Sequence, residues 1–244
     1  MTVYTVTRRT QSWYGEQIGI LILDAAYPCV PGNVGNATTY TYPVRFQEVR
    51  GASIDRLLNQ RDPALKEAFV EAALDLQSRG VKAITGACGF MAYFQEEVAA
   101  ALDIPVFLSS LMQIPFMHAL CGGSVGIITA NASRLTPRHF EACNVPASIP
   151  LAIAGMEGQR EFREAVLEEK GTLDSGEIER EVTQVARALI ESYPEIRSIL
   201  LECSDLPPYA YAVQAATGRP VFDFITMINY VQQSIARRPY AGNM

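Results

Sequence analysis

The sequence predicts an α/β fold: two pseudo-symmetric, doubly wound parallel-sheet lobes with the active site between them. Three observations lead there. Short apolar runs alternate with helical segments along the 244 residues, the pattern of a parallel sheet covered on both faces. The pattern breaks at Gly122-Gly123 and restarts. One local arrangement also occurs twice: an apolar run, a cysteine, a helical segment, and a Pro-Val-Phe strand whose proline lies 17 residues after the cysteine, at Cys88/Pro105 and Cys203/Pro220.

The elements follow in order. Gln17 to Leu23 reads as a buried strand, and 24–41 as a long loop rich in Pro, Gly, Asn and Thr, of a length often functional in compact domains. Pro43 to Val49 alternates as a strand. Asp62-Pro63 offers an N-cap followed by proline at the first helical position, for a helix to Ser78 stopped by Gly80. Strands at Val81 to Thr85 and Val106 to Leu108 then alternate with helices at Met91 to Leu102 and Leu111 to Leu120. After the glycine pair come strands at Val125 to Thr129, Leu151 to Ala154, Ile196 to Leu201 and Val221 to Phe224. Helices are expected at Arg134 to Cys143, Gln159 to Glu169, Gly176 to Ser192, Pro208 to Thr217 and Ile225 to Arg237. Gly19-Ile-Leu-Ile-Leu-Asp24 also matches Gly126-Ile-Ile-Thr-Ala-Asn131, at an offset of 107 residues against 115 for the cysteines. The implied division is 1–118 plus 220–244 for the first lobe and 119–219 for the second.

Composition excludes several classes. A net charge of −6 without a basic stripe argues against nucleic-acid binding. No apolar stretch approaches a bilayer span, and Ile18 to Leu23 is shorter than a secretory core. The five cysteines are odd in number and widely spaced, with no C-x-x-C or zinc pattern, so free thiols in a reducing cytoplasm are expected, and no metal. The glycines Gly32 and Gly35 form no phosphate-binding pattern.

Both Cys88 and Cys203 fall at the carboxyl ends of strands, where open α/β sheets bind ligands. Two related lobes would put one sulfur on each face of a substrate carbon, the arrangement that two-base proton transfer needs. A free thiol titrates near ~8.5, and a following helix N-terminus is expected to lower that value and to hold a substrate carboxylate. Cys121 and Cys143 read as structural, and Cys29 as a loop residue near the cleft without a catalytic role. His118 reads as a packed or capping residue and His139 as exposed. Asp205 reads first as a helix cap, and Glu202 as either an orienting group or a strand-end carboxylate.

The motifs T-G-A-C-G-F at Cys88 and L-L-E-C-S-D-L-P-P-Y at Cys203 resemble the paired cysteines of the aspartate/glutamate/hydantoin racemase superfamily. That resemblance implies two-lobed, cofactor-independent enzymes, dimeric or larger, with Cys88 and Cys203 as acid and base. Asp24, Gly89, Phe90, Asn131, Ser133, Ser204 and Asp205 would line the pocket. The Asn-Thr after the first cysteine and the histidine after the second, as in glutamate racemases, are absent. Arylmalonate decarboxylases keep a single cysteine, whereas both are present here. The stretch L-D-A-A-Y-P-C-V-P-G-N-V-G-N, with T-G-A-C-G-F-M, is similar to a divergent branch that includes algal dimethylsulfoniopropionate lyases. The expected activity is racemization or epimerization next to a carboxylate of an amino-acid or hydantoin-like substrate. The alternatives are β-elimination from a small carboxylate such as dimethylsulfoniopropionate, or a small-molecule-binding module without catalysis.

Overall fold

The computed structural model describes residues 3–6 and 8–243. The first sheet is built from β1 (Ile18–Ile22), β2 (Val44–Glu48), β3 (Ala83–Gly86) and β4 (Val106–Phe107) in the order β2-β1-β3-β4, all parallel. The second uses β5 (Ser124–Thr129), β6 (Leu151–Gly155), β7 (Ile196–Leu201) and β8 (Val221–Phe222) in the order β6-β5-β7-β8, again parallel. The same winding therefore occurs twice, and the two Pro-Val-Phe strands are the matching edges. The central strands β1, β3, β5 and β7 are nearly continuous apolar runs because both of their faces are covered.

Helices α1 (Leu65–Ser78) and α2 (Gln95–Ala101) belong to the first lobe. The second lobe holds α4 (Pro137–Ala142), α5 (Arg160–Phe162, continued by a π turn, Arg163–Leu167), α6 (Ser175–Ser192) and α7 (Ala210–Thr217). In α6, Ile178, Val182, Val185, Ala186 and Leu189 bury one stripe at helical spacing, and Asp174 caps the start by accepting from Glu177 N. Two helices cross over. Ile114 and Met117 of α3 (Ile114–Cys121) pack with Val125, Ile127 and Leu200 of the second sheet. Phe224, Met227 and Ile228 of α8 (Phe224–Ile235) return to Ile18, Ile20 and Phe107 of the first. One apolar cluster runs through both lobes, from Leu21, Ile84 and Phe94 to Ile128, Ile199 and Leu201.

Several local expectations change. The strand Val221–Phe222 pairs with β7, so it lies in the second sheet and not with the first lobe; only the helix after it returns. Asp62 accepts from Ala64 N but also holds Arg56, and α1 begins at Leu65 behind a π turn at Asp55–Gln60. The expected helix from Arg134 starts only at Pro137, because Thr136 and His139 form a capping box there. That box, and ring contacts with Phe90 and Tyr93, bury His139 completely, against the expectation of exposure. His118 is the capping residue expected, its Nδ1 lying 2.9 Å from Gly123 O. Among the described residues no helix is long and apolar enough to cross a membrane.

Candidate active site between the lobes

The two cysteine turns are fastened to each other. Ala87 precedes Cys88 and Ser204 follows Cys203, and Ser204 Oγ donates to Ala87 O over 2.7 Å. The carboxyl ends of β3 and β7 thus meet, as strand-end binding sites in open sheets require. The pair is close enough that an ionised Cys88 would push the Cys203 thiol further up.

The loop 24–41 closes one side. Gly32 adopts φ +98, and its Cα faces Pro208 so closely that a Cβ would sit 2.9 Å from Pro208 Cα. Only glycine meets both demands. The fit carries the loop against the second cysteine segment, where Val34 N donates to Ser204 O at 3.3 Å. Asn33 then reaches inward. Its Nδ2 donates to Asp205 Oδ1 over 2.6 Å while its own Oδ1 accepts from Gly35 N. The other Asp205 oxygen accepts from Cys203 Sγ at 3.3 Å, and Tyr27 lies near enough to favour the ionised form of this carboxyl. Asp205 is therefore not a helix cap: the turn at Pro207–Tyr209 has no side-chain cap, and the carboxyl is spent on Asn33 and Cys203. Tyr27, Cys29, Asn33 and Ala87 line a cavity of about 100 Å³ beside the thiols. A larger hollow, about 730 Å³, lies between α6 and α7, among Glu179, Arg187 and Ala215, apart from this chemistry.

The two sulfurs have different partners. Cys88 stands in the N-cap position of a 3-10 turn, Gly89–Phe94, without a side-chain cap hydrogen bond, and the nearby N–H groups of Phe90 and Met91 favour its thiolate. At Cys203 the N–H of Asp205 acts in the same sense, and the sulfur faces that residue's carboxyl. Thiols of lowered pKa were expected from the helix N-termini, and the structure reverses that expectation. Burial pushes both up, and the neighbouring carboxyls Glu202 and Asp205 push them further, outweighing the N–H groups. Among the described residues no lysine or arginine is among the largest influences on either thiol. Burial raises Asp205 as well, and holds Glu202 up at about 7. Cys29 is pushed up to about 11, by burial and then Asp205.

The remaining expected residues divide. Gly89, Ser204 and Asp205 are at the junction. Phe90 is core, with its ring edge-to-face with His139. Asn131 and Ser133 sit just beyond β5, where Asn131 Oδ1 accepts from the Ser133 amide and hydroxyl. Asp24 does not line the cavity; its side chain is exposed and its N–H is used by Ala52 O. Cys121 ends α3, and Cys143 is buried beneath Ser109. Tyr27 and Asn33 were not singled out in the sequence; the only trace of them is membership of the loop motif.

Such a site, with paired thiols at the meeting strand ends of a twice-wound sheet, defines a class of two-lobed enzymes that work on small molecules at the lobe junction. Residues 49–228 match the Asp/Glu/hydantoin racemase family, and the chain belongs to that family. It is 31% identical over 240 residues to a dimethylsulfoniopropionate lyase of Durusdinium sp. clade D, covering 92% of this chain and 77% of the relative. It is 32% identical over 236 residues to dimethylsulfoniopropionate lyase 3 of Emiliania huxleyi (strain CCMP1516), covering 92% of this chain but 61% of that protein. Among solved structures, unliganded arylmalonate decarboxylase superposes with a TM-score of 0.62 at 16% identity, over 92% of this chain and 94% of that one. Picrophilus torridus aspartate racemase superposes with a TM-score of 0.57 at 12% identity, over 92% and 96%. These likenesses establish the fold. The chain is an enzyme of the racemase superfamily.

Proposed function

We propose that the protein is a lyase that eliminates a cationic β substituent from a small carboxylate, dimethylsulfoniopropionate being the leading substrate. The observation that carries this reading is the charge around the thiols: two buried carboxyls, Asp205 against Cys203 and Glu202 against the Cys88 turn, with no cation among the largest influences on either sulfur. An anionic amino-acid side chain such as that of aspartate or glutamate would add charge of the same sign. A sulfonium would supply the missing positive charge and pull the thiols' proton affinity down as it binds. The aromatic face of Tyr27 and the carboxyl of Asp205, at the cavity wall and beside it, suit such a cation. The lyase relatives point the same way.

The step needs one base. Cys88, whose thiolate two nearby N–H groups favour, takes the α-proton. The C–H electron pair becomes the carbon–carbon π bond, and the C–S bond breaks with its pair leaving on dimethyl sulfide. Acrylate remains, and the proton on Cys88 returns to solvent. The leaving group is neutral and needs no acid, so Cys203 orients and shields more than it transfers protons. Supporting the reading would be equal yields of dimethyl sulfide and acrylate from dimethylsulfoniopropionate, lost in Cys88→Ser. An inert sulfonium substrate, together with α-proton exchange on an amino acid or hydantoin, would favour two-base racemization instead.

A further inference from the structure

Glu202 is unlike the other buried acids of this chain. It ends β7, next to Cys203, with no exposed surface. Its backbone is fixed from both lobes: Glu202 N donates to Ile128 O at 2.8 Å, and Ser110 Oγ donates to Glu202 O at 3.1 Å. One carboxyl oxygen, Oε2, accepts from Thr129 Oγ1 at 2.7 Å. The other, Oε1, is sealed from solvent and has no hydrogen-bond partner. It lies against Gly89, the residue after Cys88, so tightly that any Cβ there would overlap the carboxylate. The side chain thus runs from the strand of one thiol to the turn that carries the other. A buried polar atom left unpartnered costs stability, and no capping or folding role uses Oε1.

We propose that Glu202 is a positioning residue of this site: wedged between the second cysteine strand and the Cys88 turn, its carboxyl governs the pH at which Cys88 gives up its proton. The inference rests on the reading of Cys88 as the base. The titratable groups facing the carboxyl are Cys203 on its own segment, Cys88 on the turn after β3, and Cys143 at the end of α4. Asp205 is a second carboxyl acting on Cys88 and Cys203. Thr129 is the hydroxyl that stabilises the ionised form of Glu202. With Glu202 ionised, a thiolate at Cys88 forms beside a negative charge in a dry site. With Glu202 protonated, that opposition is gone and Oε1 carries a proton facing the turn.

The test follows alkylation of Cys88 by iodoacetamide against pH, with the labelled residue identified by mass spectrometry, in the wild type and in Glu202→Gln. Glutamine keeps the volume and the acceptor for Thr129 but cannot ionise. The midpoint at Cys88 is expected to fall by roughly one pH unit, about a tenfold rise in labelling rate at a fixed pH below it. The acid limb of the kcat profile for dimethylsulfoniopropionate should move with it. A folded variant with an unmoved midpoint overturns the inference. If Glu202→Gln does not fold, the pair Glu202→Met with Thr129→Val makes the same measurement: an apolar side chain of similar length removes the carboxyl without orphaning the hydroxyl, the Cys88 midpoint should fall likewise, and an unmoved midpoint there counts equally against the inference. The two readings fail separately. A shifted midpoint without any cleavage of the sulfonium substrate sinks the lyase assignment alone. Cleavage that depends on Cys88 but has an unmoved profile in Glu202→Gln sinks the role of Glu202 alone.

Discussion

The Cys88 turn and the Cys203 turn occupy equivalent places in two sheets of identical strand order, yet their chemistry differs. Cys203 donates to a carboxyl that the opposite lobe holds in place, whereas the Cys88 sulfur has no such partner and two nearby N–H groups favour its thiolate. Duplication fixed where the thiols stand. The side chains added around them decided that they are not interchangeable. Two-base inversion requires sulfurs of similar competence on the two faces of a carbon, whereas elimination of a neutral leaving group requires one base. The asymmetry of these turns is what an elimination site needs.

Serine substitutions test that asymmetry with the largest expected effect. Cys88→Ser should lower kcat by about a thousandfold or more, since a hydroxyl is a far weaker base. Cys203→Ser should cost clearly less, roughly ten- to a hundredfold, through lost positioning. Equal losses in steady-state assays would restore the symmetric view. Next comes Asp205→Asn, which removes the negative charge beside Cys203 while keeping the volume. KM for a sulfonium substrate should rise about tenfold, with a smaller change in kcat. A variant with unchanged KM would place the cation elsewhere.

Sequence made one side of this comparison legible and hid the other. Cys88 and Cys203 stand out because each ends an apolar run and precedes a Pro-Val-Phe strand, a local pattern. The partners of Asp205 are not local: Asn33 is 172 residues away, and Tyr27 lies on the same distant loop. Nothing in S-D-L-P-P separates a carboxyl that caps a helix from one that holds a thiol. The expected lowering of thiol pKa failed for a related reason. A helix N-terminus can be read from sequence, but the burial of Glu202 beneath Gly89 depends on how two lobes close, and that burial dominates. Asp24 shows the converse, since its strand end was legible but the outward direction of its side chain was not.

Smaller effects sharpen the picture through stability. Gly89→Ala would drive a methyl into the Glu202 carboxyl and should destabilise the fold by about 2 kcal/mol in denaturant unfolding. The same change at Gly122, which has open space around its missing Cβ, involves no such clash and should cost less, although its positive φ still imposes strain. His139 sets an acid limit. Burial lowers its pKa to about 4. Because the folded value lies below the unfolded one, its contribution is complete above about pH 6.5 and is lost as pH falls towards 4, by roughly 3 kcal/mol at most. His139→Gln keeps a capping side chain at that position and should flatten the slope of unfolding free energy in this window; an unchanged slope would remove His139 as its source.

The central claim is that this pocket, with buried carboxyls at its thiols, is built for a positively charged β substituent. Inhibition by three saturated propionate derivatives tests it most directly: 3-(trimethylammonio)propionate, butyrate and succinate carry a positive, a neutral and a negative group at similar positions. The account predicts that the trimethylammonio compound binds at least about tenfold tighter than butyrate, with succinate weakest. Succinate binding as tightly as the cationic compound, or tighter, would contradict it.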